Sequence, residues 1–353
     1  MEFFKIQARG IERRFSKQAS SALWQNGLGL VQTLRIVGRF RPHLILGTGG
    51  YASFAPLFWG TLLRIPTLIH EQNVIPGLVN RVLAPWVDCV MLAYPDAALS
   101  LQAKRVVTTG VPLRSSILQA RDHLDPSAAK RLFKLDPARP MVLVMGGSQG
   151  ARALHEQLVN GRERLERQGI QLVIVAGKDA PRLNAQLLSD GGGSSQITVL
   201  EHTAEIGALL KAAALVVCRA GGATLAELTA LGKPAIVVPW PGAADGHQEK
   251  NARWLAERGA CRLLLEDQLQ DTQLADEIVN TLRDEDRLQE MSTRSAHLGN
   301  ADALNHVIRE VEAYLDYGKR SRIVSLHRNR RGWDERLSAG TSRARPSRQR
   351  LGS

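Results

Sequence analysis

Short apolar runs alternate with amphipathic stretches along most of this chain, and that alternation restricts its fold more than any other feature. The runs predict strands near Phe3–Gln7, His43–Leu46, Thr67–His70, Cys89–Ala93, Val106–Thr109, Met141–Met145, Gln171–Ala176, Ile197–Leu200, Leu215–Cys218, Ala235–Pro239 and Cys261–Leu265. Helical stretches lie between them, among them Gln18–Phe40, Gly77–Ala84, Ala151–Gln168, Ala204–Ala212, Thr224–Ala230, Gln248–Glu257 and Gln273–Asp284. This order builds parallel sheets with helices on both faces. Ligands then bind beyond the carboxyl ends of the strands. The segment LDPARP, Leu135 to Pro140, breaks the pattern with two prolines before a fresh strand and marks a domain boundary. The sequence therefore predicts an α/β chain of two Rossmann-like, doubly wound parallel-sheet domains, residues 1–137 and 138–300, facing each other across a cleft. A helix within residues 301–317 should dock on a domain surface, and residues 318–353 form a tail.

Composition narrows the class further. The most apolar segment, Ala52 to Ile69, is interrupted by Pro56, Arg64 and Pro66 and is a poor membrane span. The opening MEFFKIQARGIERR has no basic region followed by an apolar one, so it does not read as a secretory signal. Cys89, Cys218 and Cys261 form no C-x-x-C pair, which argues against a zinc ribbon or a disulfide framework and suits a reducing cytoplasm. The net charge of +12 sits mostly in the tail, where 11 Lys or Arg face 2 Asp or Glu. Rich in Arg, Ser and Gly, that tail should be largely disordered: a solvated terminus, or a segment attracted to anionic lipid or nucleic acid.

Three strands run into glycine turns: Gly47-Thr48-Gly49-Gly50, Gly146-Gly147-Ser148-Gln149-Gly150, and Gly221-Gly222. Such a turn at a helix N-terminus presents backbone N–H groups to a phosphate, and turns facing each other suit a diphosphate on each of two substrates. The spacing of the second turn matches neither a dinucleotide fingerprint nor a nucleoside-triphosphate loop, so a plain tight turn is its alternative reading. Glu227, five residues beyond Gly222, is placed to accept hydrogen bonds from a ribose diol, or else to compensate a helix dipole. His247, Gln248 and Asn251 fall in the first turn of a helix, where polar side chains suit sugar hydroxyls or helix capping. His70, Glu71, Gln72 and Asn73 follow a buried strand at its functional end. The D-x-D at Asp284 to Asp286 is flanked by Arg283 and Arg287 and reads as a solvated helical face rather than a metal site.

Together GTGGY, HEQN, GVPLR, GGSQGAR, CRAGGATLAELTALGKPA and HQEKNA, in this order over residues 1–315, closely resemble the MurG family, the lipid-linked N-acetylglucosaminyltransferases of peptidoglycan synthesis, with the GT-B fold. The resemblance implies inverting transfer of N-acetylglucosamine from its UDP donor to the C4 hydroxyl of an undecaprenyl-diphosphate-linked muramoyl-pentapeptide. No cofactor and no bound metal are implied. Carried over by motif, Glu227 holds the ribose, while Gly221, Gly222, Ala223 and Thr224, with Ser148 and Arg114, hold the UDP diphosphate. Thr203 lies near uracil, and His247, Gln248, Asn251 and Asn73 contact the donor sugar. Thr48, Gly49, Gly50 and Tyr51 face the lipid diphosphate.

A membrane-borne acceptor implies a peripheral enzyme on the cytoplasmic face of the plasma membrane, meeting anionic lipid and other cell-wall synthesis proteins and no nucleic acid. The stretch from Phe15 through Trp24, Leu28 and Leu30 to Phe40, with Phe54, Leu57, Phe58 and Trp59, offers apolar groups near Arg13, Arg14 and Lys17 for that contact, or for a core. The family's G-G-T-G-G-H loop, whose histidine is a candidate for assisting deprotonation of the acceptor, is absent from this sequence. The first domain is therefore expected to be incomplete by a strand–helix–strand unit of roughly 30 residues or more. That leaves either a shortened reading of a transferase or an inactive nucleotide-sugar binder, with another UDP-sugar GT-B transferase as the remaining alternative. His70 and Glu71 are then the cleft candidates for proton transfer.

Overall fold

The computed structural model describes residues 2–9, 17–146, 151–189 and 196–315. Ser148 with the rest of Gly147–Gly150, Arg13, Arg14 and the basic tail lie outside the described residues. The chain runs α1 (Lys17–Phe40), β1 (Ile45–Gly47), α2 (Phe54–Leu62), β2 (Thr67–Glu71), α3 (Leu78–Leu83), β3 (Cys89–Leu92) and β4 (Val106–Thr108). It continues through α4 (Ser115–His123), α5 (Pro126–Leu132), β5 (Met141–Met145), α6 (Arg152–Asn160), α7 (Arg162–Arg167), β6 (Gln171–Val175), α8 (Ala180–Ser189), β7 (Ile197–Leu200), α9 (Ile206–Ala212) and β8 (Leu215–Cys218). After these come α10 (Gly222–Ala230), β9 (Ala235–Val237), α11 (His247–Glu257), β10 (Arg262–Leu263), α12 (Gln273–Arg283), α13 (Glu285–Leu298) and α14 (303–315).

The strands form two wholly parallel sheets, ordered β1-β2-β3-β4 and β10-β9-β8-β5-β6-β7. The apolar sequences of β2, β3, β5, β6, β8 and β9 reflect burial on both faces, whereas β1, β4, β7 and β10 are more exposed. In the first sheet Ile69, Val90 and Leu92 meet Val37 of α1, Leu57 of α2 and Leu83 of α3. Leu68, Cys89 and Met91 point to the opposite face and meet Val307 and Val311 of α14, as the two-residue strand period requires. The second sheet reverses direction at β5, with β6 on one side and β8 on the other. The ends of β5 and β8 therefore flank the crevice where a ligand is expected in such a sheet. The first sheet, in the half expected to be incomplete, has its four strands in sequence order with no such reversal among the described residues.

The two halves interlock. Leu113, Ile117, Ala129 and Leu135, expected with the first domain, sit in one core with Met141, Leu143, Val216 and Leu225 of the second. Gly207 in α9 lets α4 approach so closely that a Cβ there would lie 2.2 Å from the Ser116 carbonyl oxygen. The chain thus crosses to the second sheet after β4 and returns through α14. Tyr94, after β3, packs edge-on against Trp254 of α11 at 4.7 Å between ring centroids. Arg258 covers that indole at 4.0 Å and donates to Asp96 at 3.0 Å.

Three local expectations change. Phe3–Gln7 forms no strand, and at the end of this segment α1 side chains take backbone groups: Gln32 Oε1 accepts from the Gln7 N–H at 3.0 Å, and Asn26 Oδ1 from the Arg9 N–H at 2.9 Å. The helix expected over Ala151–Gln168 breaks at Gly161, where a Cβ would stand 2.3 Å from that of Ala275 on α12. Asp284, in the D-x-D, caps α13 by accepting from the Arg287 N–H at 3.0 Å.

Lys233 gives the fold a pH signature. Its ammonium donates to the carbonyls of Lys211 and Ala213 at the end of α9, both at 2.8 Å. Burial, helped by the nearby Lys211 and Lys130 charges, lowers its pKa to about 8. Between about pH 8 and the usual lysine value the unfolded chain binds the extra proton, so stability rises with pH across that window, by at most about 3 kcal/mol. Urea unfolding at pH 8 and 10 should show the parent gaining stability relative to Lys233→Met. Equal changes in the two proteins would contradict this.

Candidate active site

The first wall of the cleft is built at the ends of β1 and β2. Thr48-Gly49-Gly50-Tyr51 follows β1, with Gly49 and Gly50 at φ of +93° and +73°, values that glycine adopts without strain. Ser53 Oγ donates to the Gly49 carbonyl at 2.6 Å and fixes the turn. Glu71, 3% exposed, ends β2 and gathers the following loop around its carboxylate. Oε1 accepts from the backbone N–H groups of Gln72 and Asn73, each at 2.9 Å, and from Asn73 Nδ2 at 3.0 Å. Oε2 accepts from the Gly77 N–H at 2.9 Å and from Asn80 Nδ2 at 2.7 Å.

The second wall is the end of β8 with the first turns of α10 and α11. Gly221 caps α10, and Gly222 lies so close to the first wall that a Cβ would stand 2.2 Å from the Gln72 carbonyl oxygen. Arg219, 7% exposed, braces the turn by donating to the Val238 and Pro239 carbonyls at 3.2 and 3.4 Å and pairing with Glu266. Gln248 Oε1 accepts from the Ala220 N–H at 3.2 Å and the Trp240 N–H at 2.9 Å, tying two loops together. Fully buried Asn251 joins the walls. Its Nδ2 donates to Asn73 Oδ1 at 3.0 Å and to the Ala220 carbonyl at 3.1 Å, and its Oδ1 accepts from the Val74 N–H at 2.9 Å.

Two charged pairs border the cleft, and only Arg81–Asp245 spans it from wall to wall. Arg114, just before α4, holds Glu227 of α10 with two parallel bonds of 2.7 Å. The arginine side chain is 57% exposed and the carboxylate 8%. Arg81 reaches Asp245 at 3.4 Å. Beside Asp245 lies a cavity of about 320 Å³, lined by the Thr48–Tyr51 turn, the loop from Glu71 to Asn80, Ala244, Asp245 and His247. Two buried polar atoms of its lining residues have no protein partner, Asn80 Oδ1 and His247 Nε2. Burial lowers the His247 pKa against the opposing pull of Glu71 and Asp245, which favours a neutral imidazole at pH 7.

The structure thus gathers Thr48 to Tyr51, Asn73, Gly221, Gly222, Ala223, Thr224, Glu227, His247, Gln248 and Asn251 around one cleft, with Arg114 bonded to Glu227 on the second wall. Thr203, half-buried after β7, uses its hydroxyl to accept from the Glu205 N–H at 3.0 Å. Ser148 lies outside the described residues. Proton transfer by His70 and Glu71 does not fit the geometry. His70, 3% exposed, lies on the other face of β2 and donates from Nε2 to the Gly110 carbonyl at 2.8 Å. Glu71 already accepts five hydrogen bonds, more than the roughly four lone-pair sites of a carboxylate. Sequence reasoning missed Asn80 and Arg219. A polar residue inside the apolar α3 and a charge at the end of the VVC strand were the available signals.

Comparison with known proteins gives the family and the fold. Residues 141–307 match the glycosyltransferase family 28 C-terminal domain, and residues 1–92 match its N-terminal domain. A UDP-N-acetylglucosamine–N-acetylmuramyl-(pentapeptide) pyrophosphoryl-undecaprenol N-acetylglucosamine transferase from Desulforamulus reducens is 37% identical over 322 residues, 89% of this chain and 85% of that protein. The protein of that name from Syntrophotalea carbinolica is 38% identical over 79% of this chain and 75% of its own. The crystal structure of Acinetobacter baumannii MurG superposes with a TM-score of 0.65 at 25% identity, covering 85% of this chain and 82% of that one. Two parallel-sheet domains with a glycine turn on each wall of the cleft define a glycosyltransferase of GT-B architecture. Within that class, the chain belongs to the family of UDP-N-acetylglucosamine–N-acetylmuramyl-(pentapeptide) pyrophosphoryl-undecaprenol N-acetylglucosamine transferases.

Proposed function

We propose that this chain transfers N-acetylglucosamine from UDP-N-acetylglucosamine to the C4 hydroxyl of an N-acetylmuramoyl-pentapeptide carried on undecaprenyl diphosphate, with inversion at the anomeric carbon. The observation that carries this reading is the pair of glycine turns on opposite walls of one cleft, joined by Asn73 and Asn251. The donor lies on the second wall. Its diphosphate meets the N-terminus of α10 at Gly221 to Thr224 together with Arg114, and its ribose meets Glu227. Arg114 then exchanges its carboxylate partner for the diphosphate, which frees lone pairs of Glu227 for the ribose diol. His247, Gln248, Asn251 and Asn73 border the donor sugar, Ser148 supports the diphosphate, and Thr203 borders the uracil. The acceptor diphosphate takes the Thr48–Tyr51 turn.

Direct attack by the C4 hydroxyl oxygen on the anomeric carbon forms the new glycosidic bond and breaks the bond to UDP, which leaves with the bonding electron pair while the hydroxyl proton is released to solvent. The α10 N-terminus and Arg114 stabilise the charge that develops on the leaving diphosphate. Peripheral attachment to the cytoplasmic face of the membrane follows from the acceptor. Among the described residues no helix is long and apolar enough to cross a membrane, and α1 exposes Trp24, Leu28, Val31 and Leu34 beside exposed Arg35 and Arg39. Incubation of the full chain with labelled UDP-N-acetylglucosamine and the lipid acceptor tests the reading. Label should move to the lipid with equimolar release of UDP, and release of UDP without labelled lipid would contradict it.

A further inference from the structure

Asn80 is 2% exposed, lines the polar cavity and leaves its Oδ1 without a protein partner. Its amide cannot turn over freely, because Nδ2 donates to Glu71 Oε2 at 2.7 Å and an ionised carboxylate only accepts. Glu71 therefore decides that an oxygen, and not an NH2 group, is the unpaired end of this amide. The same carboxylate holds the Asn73 amide, whose Oδ1 accepts from Asn251 Nδ2, and Asn251 in turn donates to the Ala220 carbonyl just before the donor turn. A hydrogen-bonded relay, Asn80–Glu71–Asn73–Asn251–Ala220, thus runs from the acceptor cavity to the donor loop.

We propose that Glu71 is a positioning residue: it presents the Asn80 amide oxygen to a hydroxyl of the acceptor sugar and, through Asn73 and Asn251, sets that sugar's pocket against the donor turn. This rests on the acceptor assignment made under Proposed function. An unpaired buried carbonyl is costly in the empty site and is satisfied by a substrate hydroxyl, so it favours an acceptor with a hydroxyl there over one lacking it.

Glu71→Gln tests the role. The new amide places an NH2 group against one set of donors, and the best compensation is for Asn80 to turn over, which offers the acceptor a donor in place of an acceptor. KM for the undecaprenyl-diphosphate-linked acceptor in detergent micelles should rise by roughly thirtyfold, while UDP affinity by calorimetry stays within about threefold because Glu227 and the α10 turn are untouched. Asn80→Ala, which leaves Glu71 its four other donors, should raise the same KM comparably, and the double variant should be no worse than either single one. The pH profile of kcat in Glu71→Gln should keep the parental shape. Loss of its acid limb would assign Glu71 to proton transfer and overturn the proposal, as would an unchanged acceptor KM or losses that multiply in the double variant. Should Glu71→Gln fail to fold, Asn80→Ala alone decides through the acceptor KM. Should the parent transfer no sugar at all, the functional reading fails separately, and calorimetric binding of the same acceptor to parent and variants still decides the positioning role.

Discussion

The Glu227→Ala chain is expected to bind UDP-N-acetylglucosamine roughly 100-fold more weakly than the parent, or worse, since it lacks a buried carboxylate able to make two charge-assisted hydrogen bonds to a ribose diol. The asymmetry of the Arg114–Glu227 pair sharpens the expectation. Removing Glu227 frees an arginine that is 57% exposed and already near water, so stability should fall little. Removing Arg114 instead strands a carboxylate that is 8% exposed, and Arg114→Ala should lose about 1–2 kcal/mol of stability as well as diphosphate affinity. Calorimetric titration with UDP and thermal unfolding of the two variants separate the effects. Full UDP affinity in Glu227→Ala would remove this residue from the donor site.

Gly222→Ala should lower kcat by about 100-fold while leaving each domain folded, the scale expected when reacting groups are misplaced by about 1 Å. The added methyl would stand 2.2 Å from the Gln72 carbonyl oxygen, which is backbone and cannot rotate aside. Gln72 is itself held by its N–H to Glu71, so the strain passes into the acceptor loop or pushes the two walls apart. Either movement separates the two substrates. Stability should drop by about 1–3 kcal/mol through overpacking. Steady-state kinetics on both substrates with a melting curve reads this result, and a variant with parental kcat would show that the walls do not need their close approach.

Much of the architecture is legible in the residues. The central strands β2, β3, β5, β6, β8 and β9 are short, mostly apolar runs bounded by turns, the pattern that burial on both faces favours. Apolar Leu274, Ala275, Ile278 and Val279 mark the buried stripe of α12 in the same direct way. What the sequence hides is long-range partnership. Residues 2–9 have strand-like character, yet at the end of this segment Asn26 and Gln32 of α1 take backbone groups instead. Residues 113–135 precede the proline-rich boundary in sequence and still belong to the second core, because α4 and α5 pack on α9. Of the polar cluster His70 to Asn73, Glu71, Gln72 and Asn73 line the cavity, whereas strand alternation sends His70 away from it. The number of donors around Glu71 depends on how the loop to Asn80 folds, which no local pattern encodes. Asn80 stands out in LVNRVL as a polar residue, but its role shows only in the folded chain, where its buried oxygen has no protein partner.

The division of labour between the two glycine turns is the central claim, and a crystal structure of the chain with UDP bound tests it most directly. The ribose should contact the Glu227 carboxylate, the diphosphate should lie at Gly221 to Thr224 with Arg114 turned toward it, and the cavity beside Thr48 to Tyr51 should hold no nucleotide. UDP seated on the Thr48–Tyr51 turn, with the Arg114–Glu227 pair intact, would contradict the account.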